Sequence, residues 1–388
     1  MEAKTTKKGF VLEGGGAKGA YQMGVCKAYL ESGYVFHGAV GTSIGAINAA
    51  MLASNKLDKA LELWENISYE DLFEQEFVDV LKRENFATGN ITTALKKLVT
   101  ERGINKTKMK EFLSTYIDED VVRSSGIEFG LVTLSLSERK PYEIFLEDIP
   151  EGKLIDYILA SAKLPIFQPH TVDENRFVDG GFINNCPINM LLDAGYDEVI
   201  AIRTKGFGLF RRYDKNANVV IIESRDSLGH FLDFSADTTR KNIKKGYCDG
   251  LRVLQGLKGE SYYLKDVDIS EVTAKLFAIS EDDLANISDF DLEIFERKRV
   301  LFERLIPEIA EYLRLSKDFT YDQLVISMFE FVALRKEIDR FEVYNFAEFR
   351  KLIKDTPTPK STNLLAKVGV DFYARKANFV EKLVKLLI

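Results

Sequence analysis

A glycine-rich stretch near the amino end, VLEGGGAKGA, is the first segment with residues that could do chemistry. Gly14, Gly16 and Gly19 satisfy the pattern G-x-G-x-x-G, with Gly15 and Lys18 between them, and the stretch joins a strand-like run to a helix-like run. Backbone N–H groups exposed at such a place can bind a phosphate or the short-lived oxyanion of an acyl transfer. The stretch therefore predicts an anion-binding loop and leaves open which anion it binds.

A second stretch, Gly41-Thr42-Ser43-Ile44-Gly45, follows the next strand-like run and has the pattern G-x-S-x-G. In a nucleophile elbow of this pattern, a strained turn exposes the serine hydroxyl, and the flanking glycines let strand and helix approach closely. Ser43 is therefore the candidate nucleophile, and Gly41 and Gly45 are the residues that support its turn.

The glycine loop by itself also fits a dinucleotide-binding oxidoreductase. That function needs an acidic residue about 20 positions further on, at the end of the second strand. The sequence has Gly41–Gly45 there instead, and it lacks the Gly-Lys-Ser/Thr of a P-loop. The oxidoreductase remains the weaker alternative.

An activated serine needs a base, and the three histidines fit that role poorly. His37 lies at the start of the strand that leads to Ser43, which puts it roughly 20 Å from that serine. His170 falls in a predicted loop. His230 would complete the chain order of an α/β-hydrolase, but too few strands precede the serine for that fold.

Asp179 is the better candidate base. It ends the strand-like run RFVD, and Gly180 and Gly181 then turn the chain away and leave room for a serine hydroxyl. A carboxylate is a weaker base than an imidazole, so we expect burial to raise the pKa of Asp179 toward neutrality. An ordinary Asp-Gly turn is the alternative reading of this segment on its own.

Strand-like and helix-like runs alternate through the first two thirds of the chain, which predicts an α/β domain with a parallel sheet over 8–260. Residues 58–125 are predicted to be an inserted layer of amphipathic helices. A helical domain is predicted over 266–388, with a proline-bearing break at 355–362. The predicted strands are 9–13, 35–40, 127–136, 140–145, 176–179, 198–202 and 219–223, and the clearest predicted helices are 20–32 and 46–54.

Composition excludes several classes of protein. A formal net charge of −7 argues against general nucleic-acid binding. Three widely spaced cysteines indicate neither a disulfide framework nor a zinc site, and no cluster of metal ligands stands out. The chain has no signal-peptide pattern and no membrane-spanning run, so we expect a cytoplasmic location, with peripheral membrane contact as an addition.

The combination GGGAKG, GTSIG and DGG resembles the patatin-like phospholipases. ASAKLP at 160–165, NNCP at 184–187 and the segment 228–254 are similar to that family as well, so the resemblance extends over 8–260. It implies a three-layer α/β/α core with a mostly parallel sheet and a Ser-Asp dyad of Ser43 and Asp179. Lys18 stands where the family more often has arginine, and lysine lacks the bidentate fork of a guanidinium.

The resemblance also implies the reaction and the partners. The N–H groups of Gly14, Gly15 and Gly16 would form the oxyanion hole, and the reaction would be lipid ester hydrolysis of the phospholipase A or lysophospholipase type, without a cofactor. A catalytically silent interaction protein is a further alternative, and the oligomeric state stays open. Two segments are candidates for membrane contact, the aromatic and basic 206–213 and the amphipathic 372–388, although the second could equally pack on its own domain.

Overall fold

The computed structural model describes residues 6–83, 107–135, 137, 140–162, 170–172, 175–287, 299, 301–359 and 371–388. The chain forms two compact units, Met1–Leu254 and Gln255–Ile388. All of the candidate catalytic residues belong to the first unit.

The first unit is built on an eight-stranded sheet with the order β5-β6-β3-β2-β1-β7-β8, and β4 pairs with β3. The parallel part of the sheet consists of β1, β2, β3, β7 and β8. At the β3 end of the sheet, the pairing is antiparallel and involves β4, β5 and β6. The strands are β1 (Lys8–Leu12), β2 (Gly38–Thr42), β3 (Glu128–Ser135), β4 (Lys140–Phe145), β5 (His170–Val172), β6 (Asn175–Asp179), β7 (Glu198–Arg203) and β8 (Val219–Glu223).

Both faces of the parallel strands are covered by buried residues. Phe10 and Leu12 of β1 join the larger core, which lies on the side of the first helices, whereas Val11 joins a smaller core with Ile188 and Leu191. The alternation follows the two-residue period of a strand. The result is the expected three-layer arrangement, in which the second helical layer is thin.

The helices of the first unit fall where the sequence places helical patterns, including the inserted layer between β2 and β3. They are α1 (Gly19–Glu31), α2 (Ile44–Ala53), α3 (Leu57–Asn66), α4 (Tyr69–Leu72), α5 (Gln75–Arg83), α6 (Thr107–Tyr116), α7 (Glu119–Ser124), α8 (Leu154–Ser161), α9 (Gly181–Asn184), α10 (Ile188–Asp193) and α11 (Ala236–Gln255). Residues 84–106 of the inserted layer lie outside the described residues.

One predicted strand begins later than expected. The apolar run starts at Val35, but β2 begins at Gly38, which is the first residue to pair with β1 and β3. Val35 is exposed, so the start of the strand is set by backbone pairing with the neighbouring strands rather than by the start of the apolar run. The other predicted strands agree with the structure to within one or two residues.

The second unit is mostly helical around its own core, as its sequence predicts. It also contains a two-stranded parallel sheet that the sequence analysis does not anticipate, because its strands have three residues each and lie far apart in the chain. The elements are β9 (Tyr263–Lys265), α12 (Ser270–Ala278), α13 (Glu281–Ile287), a π-helical turn (Leu301–Leu305), α14 (Ile306–Tyr312), α15 (Tyr321–Arg335), β10 (Val343–Asn345), α16 (Phe346–Asp355) and α17 (Asp371–Leu387).

The apolar side of α17 belongs to that core. Phe379, Leu383 and Leu387 are buried among the other apolar residues of the second unit, whereas Leu386 is exposed. The amphipathic pattern of 372–388 is therefore explained by packing inside its own unit.

Candidate active site

Ser43 lies in a strained turn between β2 and α2. Its φ of 58° and ψ of −125° are values that a side-chain-bearing residue rarely adopts. A Cβ on Gly41 would lie 2.2 Å from the carbonyl oxygen of Gly45, and a Cβ on Gly45 would lie 2.1 Å from that of Leu12. Only glycine fits at these two positions, as the nucleophile-elbow pattern predicts.

Asp179 is brought to Ser43 by the way two strands meet on β3. Thr42, the last residue of β2, pairs with Val132, and Asp179, the last residue of β6, pairs with the next residue, Thr133. Because β2 and β6 run in opposite directions along the same edge of β3, their carboxyl ends point at each other. The Ser43 hydroxyl therefore comes close enough to the Asp179 carboxylate to favour its charged form.

The environment of Asp179 favours its neutral form. The side chain is 5% exposed, and this burial raises the pKa of its carboxyl to about 7, while the hydrogen bond from the Gly181 N–H and the nearby Ser43 hydroxyl partly oppose the rise. The Gly181 nitrogen lies 2.8 Å from Oδ1. Asp179 thus has the pKa that suits a general base near neutral pH, in the direction expected from the sequence.

Ser161, at the end of α8, supports the turn at Ser43. Its Oγ accepts the Ser43 backbone N–H at 3.0 Å and donates to the Val132 carbonyl at 2.7 Å. Sequence reasoning gave this serine no role. The only signal was its position in the ASAKLP segment, which the family resemblance pointed out.

The glycine loop presents two open backbone donors rather than three. The Gly14 N–H donates to the Asn185 carbonyl at 3.0 Å, so it is already engaged. The N–H groups of Gly15 and Gly16 have no acceptor among the described residues. Gly16 adopts a φ of 59°, and a Cβ there would lie 2.1 Å from the Phe231 carbonyl oxygen.

Charged side chains hold the base of this loop. Glu13 is fully buried, and its Oε2 accepts the backbone N–H groups of Thr204 and Lys205. Burial raises the pKa of Glu13, and the nearby positive charge of Arg203 opposes that rise. Lys18 is half-buried, which lowers the pKa of its ammonium against the attraction of Glu13.

Two of the three histidines, His37 and His230, form hydrogen bonds with residues other than Ser43. His37 accepts the Lys8 N–H at 3.2 Å, at the amino end of β1 and so at the opposite edge of the sheet, as the sequence predicts. The His230 Nδ1 accepts the Leu232 N–H, and burial and the charge of Lys18 lower the pKa of its imidazole. His170 begins β5 instead of lying in the predicted loop, and its side chain lies outside the described residues.

An apolar cavity of about 60 Å³ opens beside the Ser43 hydroxyl and Gly16. The Trp64 indole forms part of the wall and is fixed by a hydrogen bond of 2.9 Å from its Nε1 to Asn48. Such a cavity fits a hydrocarbon chain attached to a carbonyl at Ser43. The other lining residues are Ile44, Ile47, Leu63, Ile67, Leu72, Phe73, Met109, Phe112, Leu113, Ala162 and Phe234.

Two kinds of feature are absent from the described part of the chain. Within it, no three His, Cys, Asp or Glu side chains are gathered as ligands of a metal ion would be. No described helix is both long enough and apolar enough to cross a bilayer.

Comparison with known proteins assigns the site to a family. Residues 10–192 match the family described as patatin-like phospholipase, and this range includes the glycine loop, the elbow at Ser43 and Asp179. The matched part of the chain is a patatin-like phospholipase domain. The end of its second strand carries the serine elbow, where a dinucleotide-binding site would need an acidic residue.

Curated relatives of the patatin-like domain include three that differ in size. Lysophospholipase NTE1 of Mycosarcoma maydis is 27% identical over 195 residues, which is 50% of this chain and 9% of the relative. Patatin-like phospholipase domain-containing protein 7 of Rattus norvegicus is 25% identical over 195 residues, or 50% of this chain and 13% of the relative. Uncharacterized protein L620 of Acanthamoeba polyphaga mimivirus is 26% identical over 239 residues, which is 48% of this chain and 63% of the relative. The chain thus spans a small part of the first two relatives.

Two solved structures also align with the chain. VipD from Legionella pneumophila is 13% identical with a TM-score of 0.43, covering 100% of this chain and 92% of VipD. The type III effector protein ExoU is 16% identical with a TM-score of 0.33, covering 96% of this chain and 76% of ExoU.

Proposed function

We propose that the patatin-like domain is a lipid acyl hydrolase of the phospholipase A or lysophospholipase type, with Ser43 as nucleophile and Asp179 as general base. The substrate class follows from the family and from the lysophospholipase among its relatives. The roles of the two residues rest on the geometry described above.

The placement of the Ser43 hydroxyl beside the buried Asp179 carboxylate, where β2 and β6 end against β3, is the observation that carries this proposal. A hydroxyl becomes a nucleophile when an adjacent base can take its proton. The apolar cavity beside Ser43 and Gly16 would hold the acyl chain, and the N–H groups of Gly15 and Gly16 would bind the oxyanion.

In the first half of the reaction, the Ser43 Oγ attacks the ester carbonyl carbon while Asp179 takes the hydroxyl proton. The carbonyl oxygen becomes an oxyanion, which accepts hydrogen bonds from the N–H groups of Gly15 and Gly16. When the tetrahedral intermediate collapses, the bond to the alcohol breaks, the alcohol leaves with the proton held by Asp179, and Ser43 carries the acyl group as an ester.

In the second half, Asp179 takes a proton from water as the water oxygen attacks the acyl carbon. The same two N–H groups bind the oxyanion again. The bond to Oγ then breaks, the fatty acid leaves, and the proton returns from Asp179 to Ser43. No cofactor or metal enters either half.

Covalent labelling with a fluorophosphonate probe tests the nucleophile directly. We expect the wild-type protein to be labelled and Ser43→Ala to be unlabelled, with loss of fatty-acid release from phospholipid and lysophospholipid measured in parallel. Ser54→Ala is the matched control, because Ser54 is also buried in the first unit but bonds only to the Ala50 carbonyl of its own helix. Labelling of Ser43→Ala at the wild-type rate would contradict the proposal. An unlabelled wild-type protein would favour the silent interaction protein.

A further inference from the structure

The segment that follows β7 exposes large apolar side chains to solvent. We call residues 206–213 the β7 loop. Phe207 is 94% exposed, Leu209 63% and Phe210 45%, although Phe210 also lies under the Arg203 guanidinium at 4.8 Å. Leaving large apolar side chains in water is unfavourable, so adjacent exposed ones indicate a contact surface. Phe207 and Leu209 form its tip.

The backbone of the β7 loop is attached to the candidate active site. The Leu209 N–H donates to the Gly181 carbonyl at 2.9 Å, and the Asn185 N–H donates to the Leu209 carbonyl at 2.7 Å. A Cβ on Gly206 would lie 1.9 Å from the Gly14 carbonyl oxygen. The β7 loop is therefore in direct contact with the turn after Asp179 and with the glycine loop, so a displacement of the tip would also move these two segments.

The sequence around the tip is rich in basic residues, in contrast to the chain as a whole. Residues 203–215 contain five basic side chains and one acidic one, whereas the whole chain has a net charge of −7. Arg212 is exposed beside the tip. Arg203 lies near Glu13 and Glu223. Arg211 is paired with Glu143, and Lys205 lies 3.7 Å from Glu223. Apolar side chains with basic flanks match a surface of hydrocarbon below negative headgroups.

We propose that the β7 loop docks on an anionic phospholipid surface, with Phe207 and Leu209 inserted, and that docking steadies the Gly181 and Asn185 segments. The docking is inferred from the β7 loop alone, whereas its effect on ester hydrolysis rests on the proposed function. The occupant is a lipid surface rather than helix α17, whose apolar side is buried within the second unit.

Vesicle binding tests the docking without any need for catalysis. Full-length Ser43→Ala protein is sedimented with phosphatidylcholine vesicles that do or do not contain phosphatidylglycerol, so that no lipid is consumed. We expect binding to the anionic vesicles, weakened roughly tenfold by each of Phe207→Ser and Leu209→Ser. Val35→Ser is the matched control, because Val35 is 67% exposed in the same unit but precedes β2, at the opposite edge of the sheet.

Three results of this binding experiment would overturn the docking. They are the absence of binding to anionic vesicles, unchanged binding by the folded Phe207→Ser/Leu209→Ser protein, and an equal loss in Val35→Ser. Equal binding to neutral and anionic vesicles would overturn the anionic assignment. Loss of affinity on Arg212→Gln would support that assignment.

Stimulation of a water-soluble ester tests the coupling to the site. Vesicles of ether-linked phosphatidylglycerol offer a surface with no ester to cleave, and we expect them to raise the hydrolysis of p-nitrophenyl butyrate by the wild-type and Val35→Ser proteins. The Phe207→Ser/Leu209→Ser protein should lose this increase. If wild-type protein binds the vesicles but its rate is unchanged, the coupling is wrong. If it binds but hydrolyses no ester under any condition, the proposed function fails while the docking stands.

Discussion

The Ser43 hydroxyl and the Asp179 carboxylate lie beside each other where two strands of opposite direction end against adjacent residues of β3. The parallel strand β2 delivers the serine, and the antiparallel strand β6 delivers the carboxylate. The pair is therefore held by the register of the sheet, with Gly181 and Ser161 fixing the backbone on either side.

The pH dependence of hydrolysis should report Asp179. The carboxylate, not the acid, takes the Ser43 proton, and burial raises its pKa to about 7. We therefore expect kcat/KM on a soluble ester to rise with pH and to level off above an apparent pKa of about 7. A rate that is flat from pH 5 to 9, in a protein that stays folded, would show that another group is the base.

Asp179→Asn should separate activity from stability. The amide cannot take a proton, so we expect a rate loss of about 100- to 10,000-fold. The raised pKa means that the folded state holds this proton more tightly than the unfolded chain does, so the stability contributed by Asp179 is lost as pH rises through about 7. Above that pH the neutral variant should unfold at a higher temperature than the wild-type protein, and at pH 4 this advantage should vanish. Wild-type activity in Asp179→Asn would rule out the dyad.

Gly16→Ala should damage the oxyanion hole. The new Cβ would collide with the Phe231 carbonyl oxygen, and the φ of 59° is unfavourable for alanine. Displacing one oxyanion donor costs about 100- to 1,000-fold in kcat, with a smaller effect on KM. Gly33→Ala is the control, since Gly33 has a φ of 81° but no atom within 4 Å of a new Cβ. It should lose only about 1 kcal/mol of stability and keep its kcat.

Ser161→Ala should lower kcat through Ser43 without touching the substrate. The change leaves the Ser43 N–H and the Val132 carbonyl without a buried partner, which costs about 1–3 kcal/mol of stability. We expect slower fluorophosphonate labelling and a lower kcat at nearly unchanged KM, and partial rescue by Ser161→Thr, which keeps the hydroxyl. An unchanged labelling rate in a destabilised protein would mean that Ser161 is only structural.

Met109→Trp should alter the choice of acyl chain. Met109 is half-buried in the cavity wall, and a larger side chain there would fill the space beside Ser43. We expect the hydrolysis of long-chain p-nitrophenyl esters to fall relative to the acetate ester. Ser114→Trp, on the exposed side of the same helix, should leave that ratio unchanged. Equal losses for all chain lengths would mean that the cavity does not hold the acyl group.

The sequence by itself predicts the candidate nucleophile, the glycine loop and most strands, because these features depend on local residue types. A tight turn or a close approach of two backbone segments requires glycine, and a strand shows a two-residue hydrophobic period. Ser43, Gly41 and Gly45 are examples, since the elbow leaves no space for other side chains at the two glycines. The prediction of Asp179 needed its combination with the glycine loop and the serine elbow to raise it above an ordinary turn.

Only the tertiary structure decides which groups meet. The engagement of the Gly14 N–H by Asn185, the support of Ser43 by Ser161 and the burial that raises the pKa of Asp179 all join segments more than 100 residues apart. The same holds for α17, whose pattern fits a membrane surface or a protein core equally well. Hydrophobic periodicity indicates that one face of a helix is buried. It does not indicate which surface covers that face, because that depends on the packing of the whole unit.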